Sequence, residues 1–244
     1  SLCVREFEDN RTTRPHQLPI YATSSFEFDS MEEGIEIFTG KKTGHVYGRY
    51  GNPTIDTVST KLAEMEAFGT GLKAYGYLTS SGMSAISTIV LSLLKSGDTI
   101  LTQNDLYGGT TELMLKVLSQ SGIRTVSVDL NETDAVEQLL QNDRSIRMLY
   151  FETPANPTMR CVDIRQMARL GKKYGVFTCA DNTFCTPILQ QPLALGADFV
   201  IHSTTKYLNG HGNSIAGVII GHDENYRKKI WTTRKLLGTT CNPW

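Results

Sequence analysis

Two short apolar runs in the second half of the chain each end in a polar loop. The first run, 176–180, leads into Asp181, and the second, 199–201, leads into a loop that contains Lys206. Short apolar runs bounded by polar loops are typical of buried parallel strands joined by a crossover. Ligands of open α/β sheets bind at the carboxyl ends of the strands, so Asp181 and Lys206 are predicted to lie in one site.

The alternation of strands and helices continues along most of the chain. Strand-like runs recur at 74–78, 98–102, 125–128, 146–151 and 215–220, and helical apolar spacing occurs at 55–68, 85–93, 113–118, 133–140, 164–174 and 224–237. This alternation predicts an α/β fold in which a mostly parallel central sheet has helices on both faces. Residues 1–52 lack such periodicity and are predicted to form an irregular arm.

Composition and charge argue against several kinds of partner. The 244 residues are 40% hydrophobic and 20% charged, which is typical of a globular protein with one substantial core. With 24 basic and 25 acidic residues interspersed, the net charge of −1 indicates no basic surface for nucleic acid or an anionic membrane. The apolar stretches fall short of the ~18 residues that a membrane-spanning helix needs. We therefore expect a small-molecule partner, no nucleic acid and no membrane.

The start of the chain and its cysteines add two expectations. Residues 1–6 contain neither the basic head nor the sustained apolar run of a signal peptide, so a cytoplasmic location is expected. An odd number of cysteines without CxxC spacing argues against a disulfide framework and against a zinc site, so no metal is expected. Buried free thiols are predicted instead at Cys3, Cys161, Cys179, Cys185 and Cys241.

The residue types in the two loops suggest a specific cofactor chemistry. A lysine amine that condenses with a carbonyl, beside a carboxylate that holds a protonated ring nitrogen, is the pairing that pyridoxal phosphate needs. Lys206 and Asp181 supply that pairing. The hydroxyls of Ser203 and Thr205 would suit the phosphate of the cofactor.

A second turn has the composition of an anion site. Residues 79–84 join a predicted strand to a predicted helix and contain Gly82. A glycine at such a turn lets backbone N–H groups approach an anion at the positive end of the helix dipole. The turn is not a P-loop, because no GKS or GKT follows it, and no GxGxxG occurs in the chain.

Four motifs together resemble the signature of the Cys/Met-metabolism family of pyridoxal-phosphate enzymes. They are Asp181-Asn182-Thr183, Gly196-Ala197-Asp198, His202-Ser203-x-Thr205-Lys206-Tyr207 and Gly210-His211-Gly212. The resemblance implies the large domain of fold-type I enzymes, with Lys206 bonded to the cofactor and Asp181 on its ring nitrogen. It also implies cofactor contacts for Gly82, Met83, Ser203 and Thr205 at the phosphate, Tyr107 stacked on the ring as a proton relay, and Asn156 near the ring hydroxyl.

The resemblance also implies how copies of the chain associate. In the family the arm reaches onto the neighbouring subunit, where Tyr47 and Arg49 would contact the neighbour's cofactor phosphate. A dimer is then the smallest complete site, and a dimer of dimers is the family's habit. Family members are longer and end in a smaller domain. The chain is therefore interpreted as an arm, 1–52, and a cofactor domain, 53–244, without that last domain.

The implied activity is γ-elimination or γ-replacement on a sulfur amino acid or an activated homoserine. The motif residues resemble the family's methionine γ-lyases most, but Gly109 occupies the position of their characteristic cysteine. Cystathionine γ-lyases usually carry arginine where this chain has Glu112. O-acetylhomoserine sulfhydrylases share Tyr-Gly-Gly-Thr, so they and the cystathionine γ-synthases or lyases remain alternatives. A fragment that binds the cofactor without turnover is the alternative outside the enzymes.

Overall fold

A computed structural model describes residues 16–244, and the prediction for Cys3 falls outside them. Within that range the chain forms a seven-stranded sheet in the order β1-β7-β6-β5-β4-β2-β3. The strands are β1 Tyr75–Thr79, β2 Thr99–Thr102, β3 Arg124–Ser127, β4 Ile146–Glu152, β5 Phe177–Asp181, β6 Phe199–His202 and β7 Gly217–Gly221. The predicted α/β fold with a mostly parallel sheet is confirmed.

Strand β7 is the exception to the parallel arrangement. It pairs antiparallel with both β1 and β6, whereas β2 with β3, β2 with β4, β4 with β5 and β5 with β6 are parallel. In the pairing of β5 with β6, Asp181 lies opposite Ile201. The two strands therefore end at the same edge of the sheet, as predicted.

Eight α-helices occur in the described range. They are α1 Met31–Phe38, α2 Pro53–Glu66, α3 Gly82–Leu93, α4 Gly108–Glu112, α5 Thr133–Asn142, α6 Ile164–Tyr174, α7 Thr186–Leu189 and α8 Glu224–Leu237. Helix α4 continues through a wider π-helical turn, Leu113–Val117, into a 3-10 turn, Leu118–Ser121. A second 3-10 turn, Pro192–Leu195, completes the crossover from β5 to β6.

Local capping accounts for several helix boundaries. Asn52 accepts a hydrogen bond from the Thr54 N–H at 2.9 Å, with Pro53 in the first turn of α2. Asp163 caps α6 in the same way, and Gly175 ends it with a φ of 66°, a left-handed conformation that favours glycine. These signals are local, which is why the predicted bounds of α6, 164–174, match the structure.

Side chains that alternate along the strands supply a core on each face of the sheet. On one face, Ile100 and Met148 pack with Ile89 of α3 and Ile230 of α8. On the other face, clusters under α2, α5 and α6 use the alternate strand positions, which include Leu101, Leu149, Phe151, Val200 and Val218. Helices thus cover both faces, as predicted.

The expectation of an irregular arm was wrong for 31–38, which form α1. Ser30 caps the helix by accepting the Glu33 N–H at 3.1 Å. None of its residues is buried, and Ile35 is 56% exposed. Eight residues span only about two turns, so the periodic signal was too short to stand out.

The cysteines differ in part from the prediction. Of those described, only Cys179 is buried, whereas Cys161 is exposed and Cys185 and Cys241 are partly exposed. All four are free thiols. Among residues 16–244, no helix has both the length and the apolar character needed to cross a membrane.

Candidate active site

A pocket of about 250 Å³ opens at the carboxyl edge of β4, β5 and β6, beside the start of α3. It brings together eight of the ten residues predicted for the site. The predicted residues that line it are Gly82, Met83, Tyr107, Asn156, Asp181, Ser203, Thr205 and Lys206. Its other walls include Glu152, Thr183, Phe184 and Ile215.

Asp181, the last residue of β5, holds its carboxylate in a set of donors. Oδ1 accepts hydrogen bonds from the Thr183 hydroxyl at 2.6 Å and the Thr183 N–H at 3.0 Å. Oδ2 accepts the Tyr150 hydroxyl at 3.2 Å. Burial raises the pKa of Asp181, and the hydrogen bonds from Thr183 oppose that rise. Burial also keeps the pKa of Tyr150 well above its usual value, so its hydroxyl stays a donor.

Lys206 lies in the loop after β6. Its backbone N–H donates to the Ser203 carbonyl at 3.2 Å, which bends the loop back toward the end of the strand. The residue is exposed, and it lines the same pocket as Asp181. Thr205 is less free than predicted, because its hydroxyl donates to the Ala216 carbonyl at 3.1 Å and accepts the Ala216 N–H at 3.2 Å.

Helix α3 begins at the pocket wall. The Ser81 hydroxyl accepts the Ser84 N–H at 3.0 Å and the Ser81 carbonyl accepts that of Ala85. The first N–H groups of a helix have no acceptor inside it, so those of Gly82 and Met83 are available to a ligand. A Cβ on Gly82 would lie 2.8 Å from the Ser203 Cβ. Only glycine lets the helix start approach the Ser203 loop this closely.

Tyr107, the residue immediately before α4, also lines the pocket. Its side chain is 51% exposed, while its N–H donates to both oxygens of Glu152 at 3.0 Å. Asn156 donates its N–H to Glu152 Oε2 at 3.3 Å. One carboxyl group therefore holds the backbone of two predicted site residues.

Glu152 is a site residue whose chemistry the sequence did not reveal. It is only 5% exposed, and burial followed by the charge of Asp181 raises its pKa to about 7. At the end of β4 it occupies the same sheet edge as Asp181, its partner in the strand register. That position at a predicted strand end was the signal that could have found it.

Tyr47 and Arg49 do not line the pocket of their own chain. Arg49 donates to the Lys235 carbonyl of α8 at 3.0 Å and lies over the Tyr47 ring at 5.3 Å. Nearby, Trp231 donates its indole N–H to the Tyr50 carbonyl at 2.8 Å. These contacts anchor the arm on α8.

Comparison with known protein families shows which family has this arrangement of residues. A family model described as "Cys/Met metabolism PLP-dependent enzyme" matches residues 1–244. The chain belongs to this family. An L-methionine gamma-lyase of Pseudomonas putida is 40% identical over 226 residues, which are 92% of this chain and 55% of that protein. The chain spans about half the length of the curated relatives it matches.

Two solved structures of similar proteins share the fold. Cystathionine gamma-lyase from Lactobacillus plantarum, complexed with L-serine, is 32% identical with a TM-score of 0.87, over 99% of this chain and 59% of its own. A putative O-acetylhomoserine (thiol)-lyase from Campylobacter jejuni is 27% identical with a TM-score of 0.89, over 99% and 65%. That protein carries a pyridoxyl group with a 5'-monophosphate on a lysine.

The residues of this Cys/Met-metabolism chain fit pyridoxal phosphate, the cofactor of the family. A phosphate suits the free N–H groups at the start of α3, because they carry the positive end of the helix dipole. A protonated ring nitrogen suits Asp181, whose partly buried carboxylate would gain a charged partner. An aldehyde suits the Lys206 amine in the same pocket.

Proposed function

We propose that this chain is the cofactor-binding part of a pyridoxal-phosphate-dependent carbon–sulfur lyase or a closely related sulfhydrylase. The reaction is γ-elimination or γ-replacement on a sulfur amino acid or an activated homoserine, as in a methionine γ-lyase. One observation carries the proposal: Asp181 and Lys206, from separate strand ends, line one pocket with the start of α3. The similarity to an L-methionine gamma-lyase supports the choice of reaction.

Lys206 has two roles in this proposal. Its amine would hold the cofactor through the aldehyde. When it does not hold the cofactor, the Lys206 amine would be the general base that moves protons between the α and β carbons of the substrate. The bound cofactor supplies an electron sink for the electron pair left at the α carbon. Lys206 is exposed and lines the pocket, so its amine is open to a substrate there.

Asp181 holds the ring nitrogen in its protonated form. The donors on its carboxylate, from Thr183 and Tyr150, stabilise the ionised state that this role needs against the effect of burial. Asp181 therefore contributes more to the rate than to the affinity for the cofactor.

The remaining predicted residues surround the other edges of the cofactor. The N–H groups of Gly82 and Met83 and the Ser203 hydroxyl bind the phosphate, with Thr205 beside them. Tyr107 covers the ring and relays a proton from the substrate, and an aromatic stack of this kind contributes about 1 kcal/mol. Asn156 lies near the ring hydroxyl. The pocket contains all of these residues, which supports the assignment.

Tyr47 and Arg49 complete the phosphate site of a neighbouring subunit. Neither residue lines the pocket of its own chain, which supports this role, since an arm that served its own site would line it. The planar guanidinium of Arg49 can donate to two phosphate oxygens at once. The assembly we propose is a homo-oligomer, a dimer of dimers, in the cytoplasm.

The substrate is an amino acid that carries a leaving group at the γ position. An O-acetylhomoserine sulfhydrylase and a cystathionine lyase or synthase remain second candidates, because Gly109 departs from the pattern of the methionine γ-lyases. Glu112 departs from the pattern of the cystathionine γ-lyases and counts against that one candidate. The similarity to the Campylobacter jejuni protein supports the sulfhydrylase. A chain that binds the cofactor without turnover is the alternative if the part of the relatives' length that this chain does not span supplies the substrate grip.

Covalent capture of the cofactor tests the proposal directly. Protein incubated with pyridoxal phosphate and reduced with borohydride should yield a peptide in which Lys206 carries a phosphopyridoxyl group by mass spectrometry. Lys206→Ala is the control and should carry none. Methionine, O-acetylhomoserine and cystathionine are then offered to the full-length protein, with 2-oxobutyrate and thiol measured. An unmodified Lys206 would refute the proposal, and turnover of one substrate decides among the candidates.

A further inference from the structure

Three polar side chains meet beneath the pocket without contact to solvent. Glu66, Asn182 and His202 are 0% exposed. Glu66 Oε1 accepts a hydrogen bond from Asn182 Nδ2 at 2.9 Å and lies 2.7 Å from His202 Nε2. The three residues come from the end of α2, the loop after β5 and the end of β6. One oxygen atom therefore joins the end of α2 to two elements that lie more than a hundred residues later in sequence.

Each partner of Glu66 is a sequence neighbour of a pocket residue. Asn182 follows Asp181, and His202 precedes Ser203. The side chain of Asn182 is held further by Gln190, which donates to Asn182 Oδ1 at 2.9 Å and accepts from Asn182 Nδ2 at its carbonyl, 2.8 Å away. A shift of Glu66 would move both pocket loops, because it is their shared contact.

Stability alone does not explain these contacts. Glu66 Oε2 and His202 Nδ1 are buried and have no hydrogen-bond partner among residues 16–244. A buried polar group without a partner costs about 1–3 kcal/mol, and well-packed apolar residues often match or exceed the stability of such a cluster. A cluster that carries this cost is better explained by its fixing one arrangement of the three elements than by added stability.

We propose that Glu66 is a positioning residue that sets the separation between the Asp181 loop and the Ser203–Lys206 loop, so that one cofactor molecule reaches both. This inference rests on the function proposed above, and it extends it to a residue that lines no part of the pocket. Thr183 joins the same two loops on the pocket side, since its hydroxyl accepts the Ser203 N–H at 2.8 Å. Glu66 links the same two loops from outside the pocket lining. It does so through the side chains of Asn182 and His202, the sequence neighbours of Asp181 and Ser203.

The chain provides a matched control. Asp198 joins β5 to β6 at their amino ends, where Asp198 Oδ2 accepts both the N–H and the hydroxyl of Thr178 at 2.7 Å. Asp198→Ala and Glu66→Ala each remove a carboxyl group that links β5 to β6. Asp198 does so at the amino ends of the two strands, and Glu66 does so at the carboxyl ends, where the pocket lies.

The test measures the dissociation constant of pyridoxal phosphate by absorbance titration of the full-length apoprotein, together with the melting temperature of each variant. Glu66→Ala should raise the dissociation constant about tenfold, equivalent to roughly 1.4 kcal/mol. Asp198→Ala should lower the melting temperature with little change in the dissociation constant. Glu66→Gln should restore affinity to within about threefold, because its amide oxygen can take the place of Oε1 as the acceptor for both Asn182 Nδ2 and the His202 Nε2–H.

A second variant covers the case in which Glu66→Ala does not fold. Asn182→Ala leaves the pair of Glu66 and His202 intact and should raise the dissociation constant by a smaller factor. Equal dissociation constants for Glu66→Ala and Asp198→Ala at matched loss of stability would overturn the inference, and so would failure of Glu66→Gln to restore affinity. Absence of cofactor binding by the unaltered protein would instead refute the proposed function.

Discussion

The Thr183 hydroxyl donates a hydrogen bond to Asp181 Oδ1 across 2.6 Å. The same oxygen of Thr183 accepts the N–H of Ser203 at 2.8 Å. A single hydroxyl therefore connects the proposed ring-nitrogen ligand to the loop of the proposed phosphate ligand. The hydrogen bond that the hydroxyl donates and the one that it accepts polarise each other, which strengthens both.

Thr183→Val should weaken both connections while it keeps the shape of the side chain. The Ser203 N–H loses its acceptor, so the free energy of unfolding should fall by about 1–3 kcal/mol. Asp181 loses its shortest hydrogen bond, so turnover should fall as well. Thr183→Ser is the control, because it retains the hydroxyl. Denaturant unfolding and steady-state kinetics measure the two effects, and equal behaviour of the valine and serine variants would contradict the prediction.

Asp181→Asn should separate catalysis from cofactor binding. The amide keeps an oxygen for the Thr183 hydroxyl, but it cannot hold a protonated ring nitrogen as an anion does. We expect kcat to fall by about 10²-fold or more, the range found when one preorganised electrostatic partner is removed. The dissociation constant of pyridoxal phosphate should change by less than about tenfold. A variant that loses the cofactor yet turns over normally when saturated would show that Asp181 only binds.

Glu152→Gln should change how stability depends on pH. The pKa of Glu152 is raised to about 7 from 4.5, so the folded chain keeps a proton there that the unfolded chain has released. As pH rises from 4.5 to 7, the wild type should lose stability relative to the variant by about 3 kcal/mol in total. Above pH 7 the difference should level off. Urea unfolding at several pH values measures it, and a constant difference would contradict the raised pKa.

Gly109→Ala should disturb Tyr107. A Cβ at this position would lie 2.6 Å from Tyr107 Cε1 and 3.3 Å from Met83 Sδ, so the ring must move. We expect kcat to fall by about tenfold to a hundredfold, since small misplacements of a catalytic group are costly. Gly108→Ala is the matched control, because its Cβ meets nothing within 4 Å. Similar kcat values for the two variants would show that the position of the Tyr107 ring does not affect the reaction.

Two inactive variants should restore activity when they share an oligomer. If Arg49 serves the site of a neighbour, a subunit with Arg49→Ala and one with Lys206→Ala together form one intact site. Random reassembly of equal amounts should then recover about a quarter of the wild-type activity in a dimeric unit. Activity is measured before and after mixing under dissociating conditions. No recovery from subunits shown to exchange would mean that Arg49 serves its own chain.

Much of the fold follows from local patterns. Helix α6 was predicted at its observed bounds, because its apolar spacing and its caps are signals within a few residues. The same holds for α8, and the strands were located to within one or two residues of their observed ends. Helix α1 was missed because eight residues give too little periodicity, and the antiparallel direction of β7 was not predicted because direction depends on the path of the connecting chain.

By itself the sequence determined that Asp181 and Lys206 share a site. Parallel strands end at one edge, so two apolar runs that each lead into a polar loop bring those loops together. Only the tertiary structure decided which groups support them. Glu66 lies 116 positions before Asn182 and 136 before His202, and Glu152 lies 45 positions after Tyr107. Hydrogen bonds over such separations leave no periodic trace in the chain, because they depend on where folding places each element.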